Sequence, residues 1–316
     1  MAVTGDPAMP NVALVGAGLI GRSWAVVFAR AGFRVRLTDR DPAAREAAPG
    51  HIEAALRQLS AHGLVADVPG ALARVSCHAA LNEVVAGADL VQESGPETVE
   101  AKRALFAELD ALCPRETILA SSTSAIVASL FTEGLPGRGR CLVAHPVNPP
   151  HLVPVVELCG APWTDPAAIS RARALYEAAG QVPVTVHREV EGFVLNRLQG
   201  ALLSEAFRLV AEGVVSPEDL DKTVSEGLGL RWSFLGPFAT IDLNAPGGVP
   251  DYAARYGGFY RRLAADPAPP QVWEAESLAR IAAAWRGGPD PASQAERARR
   301  RDARLAALMA HKRAQS

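Results

Sequence analysis

A histidine and a glutamate, His145 and Glu157, stand in or beside short apolar runs: Cys141-Leu142-Val143-Ala144 leads directly into His145, and Glu157 is the one charge in the run Leu152 to Leu158. A carboxylate on such a run is costly to bury without a partner. A histidine on the neighbouring strand supplies one, and the carboxylate in turn fixes the imidazole tautomer and steadies its protonated form. That is the arrangement of a general base. A further apolar run, Thr117-Ile118-Leu119-Ala120, empties into the hydroxyl cluster Ser121-Ser122-Thr123-Ser124. The pattern predicts buried strands ending in polar loops, with Pro149-Pro150 turning the chain so that His145 and Glu157 lie side by side.

These groups need a scaffold, and the start of the chain supplies one. Asn11 to Val15 is a short apolar run that passes into Gly16-Ala17-Gly18-Leu19-Ile20-Gly21 and then into an apolar stretch of helical length, Ser23 to Ala29. Strand, glycine turn and helix in that order form a dinucleotide site. Gly16 makes the tight turn, Gly18 lets backbone approach a pyrophosphate, and Gly21 lets helix and strand pack closely, with helix N-terminal amides facing the anion. A second strand, Arg34 to Thr38, ends in Asp39, 18 residues past Gly21. A carboxylate there accepts from both ribose hydroxyls and repels a 2′-phosphate, which favours NAD over NADP, although Arg40 follows immediately.

Residues 41–72 read as an inserted helical pair, broken near Pro49-Gly50 and Gly63. The sheet resumes at Ala88 to Gln92, and a helix follows from about Glu97 to Leu112. Read alone, Glu97 and Lys102 look like surface charges on that helix. A helix from Asp165 to Ala179 and a strand from Val182 to Val186 close the first domain, residues 1–189. Beyond Arg188 the pattern changes to helical periods, with a long helix from Val190 to Val210 enclosing Asn196 and a capped start at Ser216-Pro217. Gly227 to Pro237 reads as a glycine-punctuated loop holding Arg231, whose guanidinium can grip a carboxylate with two parallel hydrogen bonds. The basic run Glu296 to Arg304 reads as a solvated face or a subunit contact. The expected fold is a Rossmann-type, doubly wound, mostly parallel α/β sheet followed by a smaller all-helical domain, residues 190–316.

Composition narrows the function. The hydrophobic fraction is 49% and the net charge −2, with no basic footprint for nucleic acid or an anionic membrane. No apolar run reaches the roughly 18 residues of a membrane span, and Met1 to Pro10 shows no secretion signal, so a cytoplasmic enzyme with a small-molecule partner is expected. The four cysteines, Cys77, Cys113, Cys141 and Cys159, form no Cys-x-x-Cys pair. They read as core filler rather than as a metal site or a disulfide framework.

Together, the glycine turn, Ser121 to Ser124, His145-Pro146-Val147-Asn148-Pro149-Pro150 and Gly192-Phe193-Val194-Leu195-Asn196-Arg197 resemble the 3-hydroxyacyl-CoA dehydrogenase superfamily. His145 to Leu158 and Ser225 to Arg231 are most similar to its lambda-crystallin and L-gulonate 3-dehydrogenase branch. The resemblance implies that Ser124, His145, Glu157 and Asn196 are catalytic, that Asp39, Glu97 and Lys102 contact NAD, and that the protein is a homodimer joined through its helical domain. It implies oxidation of the 3-hydroxyl of a small L-3-hydroxy acid such as L-gulonate, with 3-hydroxyacyl-CoA or carnitine as alternative substrates, and a non-catalytic crystallin-like role as a further alternative. The inserted pair carries no lysine and only Arg45 and Arg57, a poor surface for CoA phosphates. Beyond Thr240 the resemblance thins.

Overall fold

The computed structural model describes residues 9–285 and 290–315; the stretch Met1 to Pro10, over which the absence of a secretion signal is expected, lies almost wholly outside them. The chain divides into two compact units, residues 1–194 with 295–316, and residues 195–294.

The first unit is built on a sheet of eight strands among the described residues, in the order β3-β2-β1-β4-β5-β6-β7-β8. In chain order these are β1 (Asn11–Val15), β2 (Arg34–Thr38), β3 (Val75–Cys77), β4 (Leu90–Glu93), β5 (Ile118–Ser121), β6 (Cys141–Pro146), β7 (Val155–Gly160) and β8 (Val182–Val186). Every neighbouring pair is parallel except β6 and β7, which run antiparallel. The helices are α1 (Leu19–Arg30), α2 (Pro42–Ser60), α3 (Val68–Ala73), α4 (Leu81–Val85), α5 (Val99–Leu112), α6 (Ser129–Thr132) and α7 (Pro166–Ala178). Because successive residues of a strand point to opposite faces, one sheet divides two cores. Val12, Leu14, Leu37, Leu90, Ile118 and Leu142 face one, with Trp24 and Phe28 of α1; Ala13, Val91, Leu119 and Val143 face the other, with Phe106 of α5. This is the doubly wound, mostly parallel α/β architecture expected.

The inserted segment differs from its sequence reading. Helix α2 runs unbroken through Pro49 and Gly50. An interior proline costs about 3 kcal/mol or more, but Ile52, Leu56 and Leu59 of the same helix are fully buried, and each such side chain returns about 1.5–3 kcal/mol. The turn at Gly63 is present, with φ of 71°. The segment is followed by β3, a strand too short and too polar to show in the sequence.

The second unit is helical: α8 (Leu195–Ala211), α9 (Pro217–Lys222), α10 (Gly229–Trp232), α11 (Pro237–Leu243), α12 (Gly248–Ala264) and α13 (Ala275–Ala284). Ser216 caps α9, accepting from the Asp219 amide, with Pro217 at the first helical position. The expected glycine loop is instead a widened turn of π-helix, Thr223–Leu228, continuing into α10, so Arg231 stands on a helix. Glycine permits this: a Cβ on Gly229 would lie 3.0 Å from the Val224 carbonyl oxygen. The final helix α14 (Pro291–Arg313) belongs from Ala295 onward to the first unit, where Ala306 is fully buried and Leu305, Met309 and Ala310 lie against the α1 side of the sheet.

Candidate active site

His145 and Glu157 are directly opposed across β6 and β7. His145 Nδ1 lies 2.8 Å from Glu157 Oε2, with the side chains 6% and 2% exposed. Antiparallel pairing of two otherwise apolar strands creates this pair, since each residue is the polar member of its ladder. With Nδ1 engaged by the carboxylate, Nε2 is the ring nitrogen left for proton transfer. The Val194 amide donates to Glu157 Oε1 at 2.8 Å. That amide is presented by a turn in which Gly192 and Phe193 both adopt positive φ, 76° and 50°. The conformation is unusual for a phenylalanine. The Phe193 ring is fully buried, 5.6 Å from the His145 ring, so the strained residue also walls the imidazole.

The hydroxyl loop after β5 is fastened to carboxylates from β4 and the loop that follows it. Ser121 Oγ donates to Glu93 Oε2 at 2.5 Å, Thr123 Oγ1 to Glu97 Oε1 at 2.5 Å, and the Ser124 amide to Glu97 Oε1 at 2.8 Å. Glu97 lies before α5, not within it, because Thr98 is the N-cap. Burial pushes the Glu97 carboxyl up, but the Thr123 hydroxyl, Lys102 and the Ser124 amide outweigh that and hold it below the usual carboxylate range. Lys102, read in sequence as a surface charge, is 1% exposed and lies 3.0 Å from Glu93 Oε2 and 3.4 Å from Glu97 Oε2. Sequence reasoning missed Glu93; its place as the only acid of a strand otherwise apolar but for Gln92 is the signal that could have found it.

The dinucleotide turn has the geometry its glycines require. Gly16 has φ of 111°, and a Cβ there would lie 2.5 Å from the Ser94 carbonyl oxygen; one on Gly21 would lie 1.8 Å from the Gly16 carbonyl oxygen. Gly18, the N-cap of α1, is different: a Cβ there meets nothing within 4 Å, which leaves space for a ligand. Leu19 and Ile20 open α1, Leu19 more than half exposed. Beside the turn a cavity of about 530 Å³ is lined by Gly16, Thr38, Asp39, Arg40, Arg45 and Gly95 among others. Asp39 Oδ2 accepts from the Ala17 amide at 2.6 Å and Oδ1 from the Asp41 amide at 2.9 Å, so the carboxylate is held at the cavity wall. Arg45 donates to the Asp39 carbonyl at 2.6 Å. Turn, cavity and fixed acid fit an adenine dinucleotide.

In the second unit, Asn196 occupies the first turn of α8, half-buried rather than deep in a longer helix, and Arg231 is exposed on α10. Cys113, Cys141 and Cys159 are buried, and burial pushes Cys141 and Cys159 up to about 12 and Cys113 to about 11, while Cys77 is partly exposed.

An eight-stranded doubly wound sheet with this turn and acid defines an NAD-binding oxidoreductase. Models of the 3-hydroxyacyl-CoA dehydrogenase NAD-binding domain and C-terminal domain match residues 11–190 and 192–284, and the chain belongs to that family of NAD-dependent dehydrogenases. A lambda-crystallin homolog from Bos taurus is 48% identical over 83% of this chain and 83% of its own. An L-carnitine dehydrogenase from Streptomyces griseus is 39% identical over 81% of this chain and 78% of its own. Among solved structures, an NAD⁺-dependent dismutase, 5-formyl-3-hydroxy-2-methylpyridine 4-carboxylic acid 5-dehydrogenase, superimposes with a TM-score of 0.81 at 33% identity, covering 95% of this chain and 97% of its own.

Proposed function

We propose that the protein oxidises the 3-hydroxyl of a small free L-3-hydroxy acid of the L-gulonate type, with His145 as the general base. The opposed pair of His145 and Glu157, 2.8 Å apart, carries the reading. His145 Nε2 takes the hydroxyl proton as the carbinol carbon loses its hydride, and Glu157 stabilises the imidazolium that forms. Bound NAD supplies the hydride acceptor. By the motif resemblance Ser124 and Asn196 hold the reacting oxygen; Arg231, whose guanidinium can take a carboxylate with two parallel hydrogen bonds, grips the substrate carboxylate. Glu97 and Lys102 contact NAD, and Lys102 also lies 3.4 Å from Glu97 Oε2.

A free acid is favoured over a thioester by the inserted helices. Their two arginines are engaged, Arg57 with Glu53 at 2.6 Å and Arg45 with the Asp39 carbonyl. Carnitine is the second reading, supported by the Streptomyces griseus relative. The intact, buried His145–Glu157 pair argues against a non-catalytic role.

The helical unit presents Leu198, Phe234, Phe238 and Leu243 at 64%, 55%, 75% and 73% exposure. So much exposed apolar surface marks an interface, and we assign it to a second copy of this chain; a sedimentation mass of one chain would refute this. Among the described residues no helix is long and apolar enough to cross a membrane. NADH absorbance with L-gulonate, L-3-hydroxybutyrate, L-carnitine and 3-hydroxybutyryl-CoA tests the substrate. Fastest turnover of the thioester would overturn it.

A further inference from the structure

A chain of side-chain hydrogen bonds runs from the core of the first unit to the glycine turn, and its direction is fixed. Gln92 on β4 is fully buried. Its amide lies 3.3 Å from the Ala144 carbonyl oxygen and 2.6 Å from Ser122 Oγ on one side, and meets the Tyr176 hydroxyl on the other. A backbone carbonyl only accepts, so the NH₂ must face Ala144 and Ser122, leaving Oε1 for Tyr176. Tyr176 therefore donates to Gln92, and Gln92 donates to Ser122. Burial holds the Tyr176 phenol well above its ordinary value, so it keeps its proton.

Trp24 Nε1 lies 3.1 Å from the same Ser122 oxygen, and an indole N–H only donates. Ser122 thus receives two hydrogen bonds, which occupy both its lone pairs. Its own proton goes to Ser94 Oγ, 2.9 Å away. Ser94 accepts it and must send its own proton elsewhere, yet among the described residues its hydroxyl has no other hydrogen-bond partner. Ser94 is half-buried and abuts the turn: a Cβ on Gly16 would lie 2.5 Å from its carbonyl oxygen, and one on Gly21 3.8 Å from its Cβ.

We infer that Ser94 is a hydrogen-bond donor to the bound dinucleotide, its proton taken by an oxygen of the diphosphate that a turn of this kind holds beside its glycines. A hydroxyl free to rotate offers a lone pair as readily as a proton. Here Trp24, Gln92 and Ser122 turn the Ser94 proton away from Ser122 before the ligand arrives, so that it is available to an acceptor-only group. Ser94 is a cofactor-binding residue; Trp24 and Gln92 are positioning residues that act through Ser122.

The test is binding. Ser94→Ala, with its melting temperature checked, should weaken NADH by fluorescence and ADP-ribose by calorimetry about ten-fold each, the size of one lost hydrogen bond to a charged group. Unchanged affinity for both would sink the inference, and so would a loss confined to NADH, which would place the acceptor on the nicotinamide. A double-mutant cycle separates direction from packing. Gln92→Met frees a lone pair on Ser122, so the Ser94 proton can turn back to Ser122, and NADH affinity should fall several-fold. In the Ser94→Ala background Gln92→Met should then cost almost nothing more. Trp24→Phe repeats the cycle from the other donor, should Gln92→Met fold poorly. Additive losses would mean that these side chains merely pack, and would overturn the directional argument.

Discussion

Lys102 Nζ lies 3.0 Å from Glu93 Oε2, and both side chains are 1% exposed. The pair joins the end of β4 to the first turn of α5, and Glu97 is drawn to it from the rim. Removing one partner leaves a buried charge uncompensated, which costs about 3–5 kcal/mol. Lys102→Met should therefore lower the denaturant midpoint markedly and weaken NAD binding with it. Glu97→Gln, at a half-exposed position, should weaken NAD binding with little loss of stability. Equal stability of the two variants would count against a structural part for Lys102.

The Asp39 carboxylate is oriented by the amides of Ala17 and Asp41. Asp39→Ser removes the charged acceptor for the ribose hydroxyls and should weaken NAD by roughly 1.5–3 kcal/mol. Discrimination against NADP should relax, since Arg40 and Arg45 remain at the cavity. An unmoved ratio of NAD to NADP affinity would refute the assignment.

Replacing His145 by glutamine should reduce kcat by at least about 100-fold, the low end for losing a general base, with NADH affinity near that of the parent. Glu157→Gln should show a similar loss, because the imidazolium that forms during proton transfer has lost its carboxylate. Turnover near that of the parent in a folded Glu157→Gln variant would mean that the 2.8 Å contact plays no part in turnover.

His151, in the loop between β6 and β7, is 8% exposed. Burial, helped by Arg30 of α1 and Arg301 of α14 and opposed by Asp302, lowers it to about 4. A depressed histidine stabilises the fold fully above its unfolded value, near 6.5, and that stability is lost as pH falls toward 4. The shift corresponds to about 3 kcal/mol. Melting scans of the parent and His151→Asn between pH 7 and 4 should show the variant losing less on acidification; parallel curves would remove His151 as a cause.

Arg231→Met decides the substrate class. If its guanidinium clamps a carboxylate, the variant should lose about 2–4 kcal/mol in kcat/KM on L-gulonate and much less on 3-hydroxybutyryl-CoA. Equal losses on both would refute the clamp.

What the sequence disclosed follows from range. A charge inside an apolar run, as at Glu157, announces a buried partner, and the turn Gly16 to Gly21 is a local device, so both were legible. Glu93 was not read, although it too is a charge at the end of an apolar run, because the partners that give it meaning, Lys102 and Ser121, lie on other elements, the latter 28 residues away. The same holds for Ser122, whose hydroxyl is set by residues of α1 and β4. Glycine misled at Gly227 and Gly229, where local propensity favours a loop but a π turn tolerates residues without a Cβ. Proline misled at Pro49, where core burial along α2 outweighs its local penalty. Arg231 is therefore helix-borne, and nothing in its spacing said so.

Helix α14 makes the first unit discontinuous along the chain. Ala306 shares a buried cluster with Trp24 and Leu14, nearly three hundred residues upstream. During synthesis, then, the nucleotide-binding unit emerges with one flank uncovered and stays so while residues 195–294 are added. Contacts of such long sequence separation form late and slow the approach to the native state. A ribosome must read past residue 295 before the first unit can close.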